Sequence, residues 1–323
     1  MTKSDRVHVT RYDMTDVLGK LEAVHGQRFV DYRRAWDETC KGRAASEYPL
    51  YIVIGVNSDC NLCCKMCVRH FDKEMNAKHI YMPLETIDKI VEQCKAIHVP
   101  SVLIGQEAEC LLHPEIKEIL KRIKQIDPVD FLLITNGILL NKDMSKFLVE
   151  LEIDRLQISV DAASKETYKK IRGGSLEVLE RNIHNFVQIR NSMGKELPLL
   201  RLSFCVQPDN IQEKADFLNK WSGIADIVDF QDLIDMSHIH CLADKAYREY
   251  HCPDPFQRLV IDYAGNIYGC CATGYNQRFR IGNLSDTSLL EAWGSPVMKE
   301  LRNSFISQKL YKECLNCRAN RGI

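Results

Sequence analysis

The chain lacks an excess of charge of either sign. Its 43 Lys and Arg offset 44 Asp and Glu, for a formal net charge of −1. That balance argues against a basic surface for nucleic acid or for an anionic membrane. Long apolar runs are missing too. Leu50 to Val56 and Phe131 to Ile134 fall far short of the ~18 residues needed to cross a bilayer. The opening residues, MTKSDRVHVTRYDMTD, are polar and hold no apolar secretion segment. These gaps make a soluble, cytoplasmic protein the expectation. Composition is otherwise ordinary, 45% hydrophobic and 27% charged over 323 residues. That length fits one large α/β domain of roughly 200–250 residues with a smaller appendage.

Cysteine is what the chain has in abundance, with 14 residues. In a cytosolic chain, clustered cysteines point to metal or redox chemistry rather than disulfides. Seven fall into two spaced groups. The others (Cys40, Cys63, Cys94, Cys110, Cys205, Cys241 and Cys271) are mostly scattered and read as small buried hydrophobes.

Residues 1–47 read as an amphipathic helical segment, with Leu18, Leu21 and Val24, then Phe29, Tyr32 and Trp36, at three- and four-residue steps. Six strand-like runs then alternate with helices: Tyr51 to Val56, Ser101 to Gly105, Asp130 to Thr135, Arg155 to Val160, Leu199 to Val206 and Ile227 to Leu233. Such alternation implies right-handed crossovers and a parallel sheet, as a partial (β/α) barrel or a doubly wound sheet. From about His251 the rhythm changes to a β-hairpin around Tyr263-Ala264-Gly265, a helix over about Ser288 to Arg302, and a polar terminal loop with Cys314 and Cys317.

Cys60, Cys64 and Cys67 follow the first strand with C-x3-C-x2-C spacing. Three thiolates can ligate three irons of a cubane and leave the fourth open. The same spacing admits a zinc site with a distant fourth ligand, or a run of buried cysteines. Cys252, Cys270, Cys314 and Cys317 form the second group, and four thiolates close a metal site completely. Zinc fits that set as well as an iron–sulfur cluster does.

The first group, with Asn61-Leu62 and Met66, resembles the signature of the radical S-adenosylmethionine (SAM) superfamily. Gly105-Gln106-Glu107 resembles that family's Gly-Gly-Glu motif, which binds the methionine amino group, with Gln106 and Ala108 as departures. Leu111-Leu112-His113-Pro114, Thr135-Asn136-Gly137, Ile158-Ser159-Val160-Asp161 and Ile171-Arg172-Gly173-Gly174 continue the likeness in order. The resemblance implies a partial (β/α)6 barrel over residues 48–240. It also implies SAM contacts from Met66, Gly105, Gln106, Glu107, Asn136, Ser159, Asp161 and Arg172. Met66 stands where many members carry an aromatic residue against the adenine, and Arg172 would approach the SAM carboxylate.

The second group resembles the SPASM/twitch extension of the same family, here over residues 241–323. It lacks the further cysteines of a full SPASM set and is similar to the shorter twitch form. The resemblance thus implies two [4Fe–4S] clusters, one for SAM and one auxiliary. It further implies an electron donor such as flavodoxin or ferredoxin. SAM cleavage would yield a 5′-deoxyadenosyl radical that takes hydrogen from a substrate.

One auxiliary site and a short N-terminal segment favour a small polar substrate: a sugar, aminocyclitol or sugar nucleotide. Dehydrogenation is the leading outcome, with electron transfer to the auxiliary cluster. Epimerisation would instead need a thiol that returns a hydrogen atom, with Cys205 or Cys271 as candidates. Elimination, a peptide substrate and a non-catalytic iron–sulfur or zinc protein are the alternatives. Asp232 to His240, with two acids and two histidines, is a candidate pocket lining.

Overall fold

The computed structural model describes residues 2–3, 9–42, 44–71, 79–233, 252–271 and 277–319. Most of the Asp232 to His240 stretch, and Cys241, lie outside the described residues.

Six parallel strands form the centre: β3 (Tyr51–Ile54), β4 (Ser101–Ile104), β5 (Asp130–Thr135), β6 (Arg155–Ser159), β7 (Leu199–Val206) and β8 (Ile227–Asp232). They pair in chain order, each to the next. That is the arrangement expected when helical crossovers of one hand return each strand beside its predecessor. All six strands expected from the sequence are present, within about two residues at their ends. The fold is therefore the partial (β/α)6 barrel, followed by a smaller C-terminal unit.

Strand residues alternate between two cores. Ile52, Val102, Ile104, Leu133, Leu156, Ile158, Leu200 and Leu202 face outward and join the surrounding helices in one cluster. Tyr51, Val53, Leu103, Leu132, Leu199, Ile227 and Val260 face inward. The inner set is completed by helices Val17–His25 and Gln27–Cys40, through Val17, Leu21, Phe29, Tyr32 and Trp36. These helices close the end of the barrel where the strands begin. His25 bonds Asp154, just before β6, at 2.6 Å, and Gln257 donates to the Trp36 carbonyl at 2.8 Å.

The N-terminal segment departs from the helical reading in two ways. It contains strands β1 (Thr2–Lys3) and β2 (Val9–Asp13), antiparallel to each other with β2 antiparallel to β8, and helical periodicity detects neither. It also buries Val17 and Leu21 on the first helix, while Leu18 and Val24 are exposed. The helical face is thus turned by one residue from the expected one.

The C-terminal hairpin does not build a sheet of its own. β9 (Arg258–Ile261) pairs parallel with β3, and β10 (Asn266–Tyr268) and β11 (Arg280–Asn283) follow antiparallel. The result is one continuous 11-stranded sheet. Helices Leu289–Trp293 and Pro296–Ile306 come next, where one helix was expected. Cys314 and Cys317 lie on a further helix, Lys312–Ala319, not in a loop. Three-residue spacing puts both cysteines on one helical face.

Candidate active site

The chemistry-bearing loop begins where β3 ends. Asn57 and Ser58 are buried and pin its start, with Ser58 N–H donating to the Ile80 carbonyl at 2.9 Å. Asn57 Nδ2 donates to the Glu109 carbonyl at 3.1 Å. The Cys67 N–H closes a turn onto the Cys64 carbonyl at 3.0 Å, and the Lys65 N–H reaches the Ile171 carbonyl at 2.8 Å. Cys60, Cys64 and Cys67 are half-buried on this loop, and Met66 is half-buried between the last two. Cys63 is exposed, with its sulfur 3.4 Å from His70 Nδ1.

Burial pushes the Cys60 thiol up and the Cys64 thiol up to about 11, and the neighbouring thiols add to both. Thiolates here need compensating cationic charge, as metal ligation supplies. Among the described residues no three His, Cys, Asp or Glu side chains converge on one ion. A cubane, whose irons each take their own thiolate, asks for separated sulfurs on a shared rim.

A second observation fits a polar guest at this corner. The Tyr168 side chain is fully buried and its hydroxyl has no hydrogen-bond partner. It lies within electrostatic reach of Arg172, Cys64, Asp161 and Glu109.

Gly105, at the exit of β4, has φ +102°, and a Cβ there would stand 2.1 Å from the Ile134 carbonyl. Only glycine fits, and the chain can then turn Gln106 and Glu107 apart. Gln106 Nε2 donates to the Cys271 carbonyl at 2.9 Å, tying the barrel to the second cysteine group. Glu107 lies against Gly55, where a Cβ would meet its carboxyl oxygen at 3.1 Å. Burial pushes this carboxyl up to about 7, with Asp262 adding to the rise and Arg69 opposing it.

Glu109 is the carboxylate within electrostatic reach of Cys60. It is buried and accepts from Thr135 Oγ1 at 2.6 Å, the Asn136 N–H at 2.7 Å and the Leu111 N–H at 3.2 Å. Burial raises its pKa although these donors pull it down. Sequence reasoning missed Glu109; the only signal was a second carboxylate two residues after Glu107. Asn136 also joins this rim, donating from Nδ2 to Asn61 Oδ1 at 2.7 Å.

Asp161 follows β6 with φ +65° and is buried. One carboxylate oxygen accepts the Cys205 N–H at 2.6 Å, and the other accepts Arg172 Nε at 2.7 Å. Arg172 Nη1 in turn stands 3.6 Å from the Cys64 sulfur. Asn210 Nδ2 donates to the Asp161 and Cys205 carbonyls at 2.9 and 2.8 Å. Asp161 thus holds Arg172 and the end of β7 in place.

Alternation points Gln157 and Ser159 of β6, Ser203 and Cys205 of β7 and Gln231 of β8 into the lumen, as partners of the outward Ile158, Phe204 and Phe230. Gln157 Nε2 reaches Ser203 Oγ at 3.4 Å. The upper lumen is therefore polar, and Gln157, Ser203 and Gln231 are further lining residues that motif reasoning did not single out. The Cys205 thiol is pushed up to about 12 by burial and by Asp161, which keeps it a protonated S–H.

In the second group, Cys314 is buried in the outer core, and Cys252 and Cys270 pack, partly buried, against that same core. Burial pushes the Cys314 thiol up to about 12, with Cys317 adding to the rise. Cys271 also lies within electrostatic reach of Cys314 and of Arg258, which Cys252 faces too. Of the four expected thiols, Cys252 precedes the short helix Asp254–Gln257, Cys270 follows β10, and Cys314 and Cys317 lie on the helix Lys312–Ala319.

Residues 55–193 match the family described as the Radical SAM superfamily, and residues 252–318 match the SPASM family, an iron–sulfur cluster-binding domain. A probable GTP 3′,8-cyclase of Methanococcus maripaludis is 29% identical over 181 residues, covering 55% of this chain and 57% of that relative. The chain thus spans less than two thirds of the length of the curated relatives it matches. Among solved structures, BtrN in complex with AdoMet and 2-DOIA superposes with a TM-score of 0.55 at 18% identity, covering 83% of this chain and 92% of BtrN. Streptococcus suis SuiB bound to its precursor peptide SuiA superposes with a TM-score of 0.60 at 18% identity, covering 85% of this chain and 71% of SuiB. These structural likenesses establish the fold.

Proposed function

Because the chain belongs to the radical SAM superfamily and carries a C-terminal SPASM domain, we propose that it dehydrogenates a small polar molecule held in the upper lumen of its half-barrel. The observation that carries this reading is the polar rim of Gln157, Ser159, Ser203, Cys205 and Gln231 beneath the three-cysteine loop. Such a lining suits hydroxyl- or amine-bearing substrates such as a sugar, aminocyclitol or sugar nucleotide, which need matched hydrogen bonds when buried. BtrN was solved with AdoMet and 2-DOIA, and this chain covers 92% of it, against 71% of the peptide-bound SuiB.

In this reading Cys60, Cys64 and Cys67 hold a [4Fe–4S] cluster with one position left for SAM. Bound SAM, reduced through that cluster, supplies a 5′-deoxyadenosyl radical for hydrogen abstraction. The chain's own residues orient the parts. Glu109 and Glu107 are the acidic candidates for the methionine ammonium, and the side facing Cys60 favours Glu109. Gly105 lets the backbone approach, and Arg172 presents a cation for the carboxylate. Met66, Asn136 and Ser159 border the nucleoside side, and Gln106 braces the hairpin. Asp161 positions Arg172 rather than offering a free carboxylate.

Cys252, Cys270, Cys314 and Cys317 would hold one auxiliary cluster of the twitch kind, which would accept the second electron of the oxidation, the first leaving the substrate with the abstracted hydrogen atom. A flavodoxin or ferredoxin would supply the separate electron that reduces the SAM-binding cluster.

A second reading is a redox-neutral reaction on a nucleotide, favoured by the relatives named GTP 3′,8-cyclase. Reduced, anaerobically reconstituted protein is incubated with SAM and deuterated candidates. Dehydrogenation predicts deuterium in 5′-deoxyadenosine and a product two hydrogens lighter. A product isomeric with the substrate selects the second reading, and no 5′-deoxyadenosine at all removes both.

A further inference from the structure

We infer that Arg172, aimed by Asp161, sets the reduction potential of the cluster bound through Cys64. The inference rests on the proposal that Cys60, Cys64 and Cys67 hold that cluster. Arg172 Nη1 stands 3.6 Å from the Cys64 sulfur, within range of an N–H to sulfur hydrogen bond. Its Nε is fixed by Asp161 at 2.7 Å, and Nη2 closes a second contact to the same carboxylate oxygen. The pair is shielded, with side chains 12% and 1% exposed, so water screens the cation weakly.

The helix Lys165–Arg172 ends at Gly173, in the left-handed conformation with φ +78°, which fixes where the guanidinium departs from the backbone. The Lys65 N–H to Ile171 carbonyl bond, 2.8 Å, ties that helix end to the cysteine loop itself. The Tyr168 hydroxyl is a second, independent sign of a polar group at this corner, being fully buried without a hydrogen-bond partner.

Hydrogen bonds and cationic charge at a ligating sulfur favour the reduced, more negative cluster and raise its potential. Asp161 tempers this by neutralising part of the charge. It is also the residue that keeps the guanidinium pointed at sulfur. In this role both are positioning residues acting through Cys64, and the midpoint is read before SAM is added, so the proposed Arg172 contact to the SAM carboxylate does not enter.

The test is an EPR-monitored redox titration of the reconstituted full chain, following the signal that changes when SAM is added. Arg172→Gln is expected to lower the ratio of reduced to oxidised cluster at a fixed potential by about tenfold, equivalent to about 59 mV for one electron. Arg172→Lys keeps the charge without the fork and is expected to fall between. Asp161→Asn keeps an amide oxygen that can still accept from Arg172 and aim it while removing the neutralising charge, and is expected to shift the midpoint the opposite way. A packing role alone would not give shifts of opposite sign.

If Arg172→Gln fails to hold a cluster, the comparison rests on Arg172→Lys and Asp161→Asn. Midpoints equal to the unmodified protein in the variants that hold cluster overturn the inference. Absence of any SAM-sensitive cluster in the unmodified chain instead overturns the reading it rests on.

Discussion

Glu107→Gln offers a sharp test of the electrostatics at the barrel mouth. Burial beside Gly55 pushes the Glu107 carboxyl up to about 7, and Asp262 adds to the rise. In the unfolded chain the same carboxyl titrates near ~4.3. Between those two values the folded state binds more protons than the unfolded state. Stability contributed by this residue is therefore present at low pH and lost as pH rises through about 7. At 1.36 kcal/mol per pKa unit, complete ionisation costs the fold about 4 kcal/mol, of which about 1 kcal/mol falls between pH 6 and 8. Rim water makes these upper figures. Glutamine keeps the shape and cannot ionise. Urea unfolding of the metal-free protein should show the unmodified chain losing up to about 1 kcal/mol more than Glu107→Gln from pH 6 to 8. Parallel pH dependences, or a relative gain by the unmodified chain at pH 8, would refute the placement of this carboxyl in a desolvated, anionic corner.

Gly105→Ala is expected to abolish cluster binding and cost more than about 3 kcal/mol, since its Cβ would stand 2.1 Å from the Ile134 carbonyl in a conformation with φ +102°; iron content and urea midpoint are the readouts. Replacing Cys314 and Cys317 together by alanine should halve the iron content and stop formation of oxidised product, while 5′-deoxyadenosine continues to form in the first turnover. Cys205→Ala should leave product formation within about twofold under the dehydrogenation reading; loss of product with continued SAM cleavage would reassign Cys205 as the hydrogen-atom donor of an epimerase. Deleting residues 1–42 uncovers the inner face around Tyr51, Val53 and Leu132, and should yield aggregated protein by size-exclusion chromatography.

Alternation of short apolar runs with helices was enough to place all six central strands, because strands buried on both faces, such as Tyr51–Ile54, read as continuous β-branched segments. Cysteine spacing was also plain to read, and it pointed to the two families whose models the chain matches. What stayed hidden depends on long-range pairing. β2 offers only Val9–Asp13, a short polar-looking segment that becomes a strand by pairing with β8. The merging of the hairpin into the barrel depends on β9 lying beside β3, two segments about 200 residues apart. Glu107 and Glu109 are indistinguishable in one dimension. Their fates diverge because Gly105 turns the chain, so that one carboxylate meets Gly55 and Asp262 while the other accepts from Thr135 and Asn136.

The two ends of the half-barrel are chemically unequal, and that inequality assigns the working end. Where the strands begin, Phe29, Tyr32 and Trp36 fill the lumen, and the ion pairs Arg155–Asp130 and Arg201–Asp229 lie buried above them. The charges of these two pairs already have partners, and aromatic side chains occupy the space beside them. Where the strands finish, the backbone turns through Gly55, Gly105 and Asp161, and polar side chains of β6, β7 and β8 face inward. The three-cysteine loop follows β3 at this end, and Gln106, just past β4, reaches the carbonyl of Cys271, the residue after Cys270. Parallel strands place all their exits on one side, so a loop of thiols and a polar lumen meet there without either one dictating the position of the other.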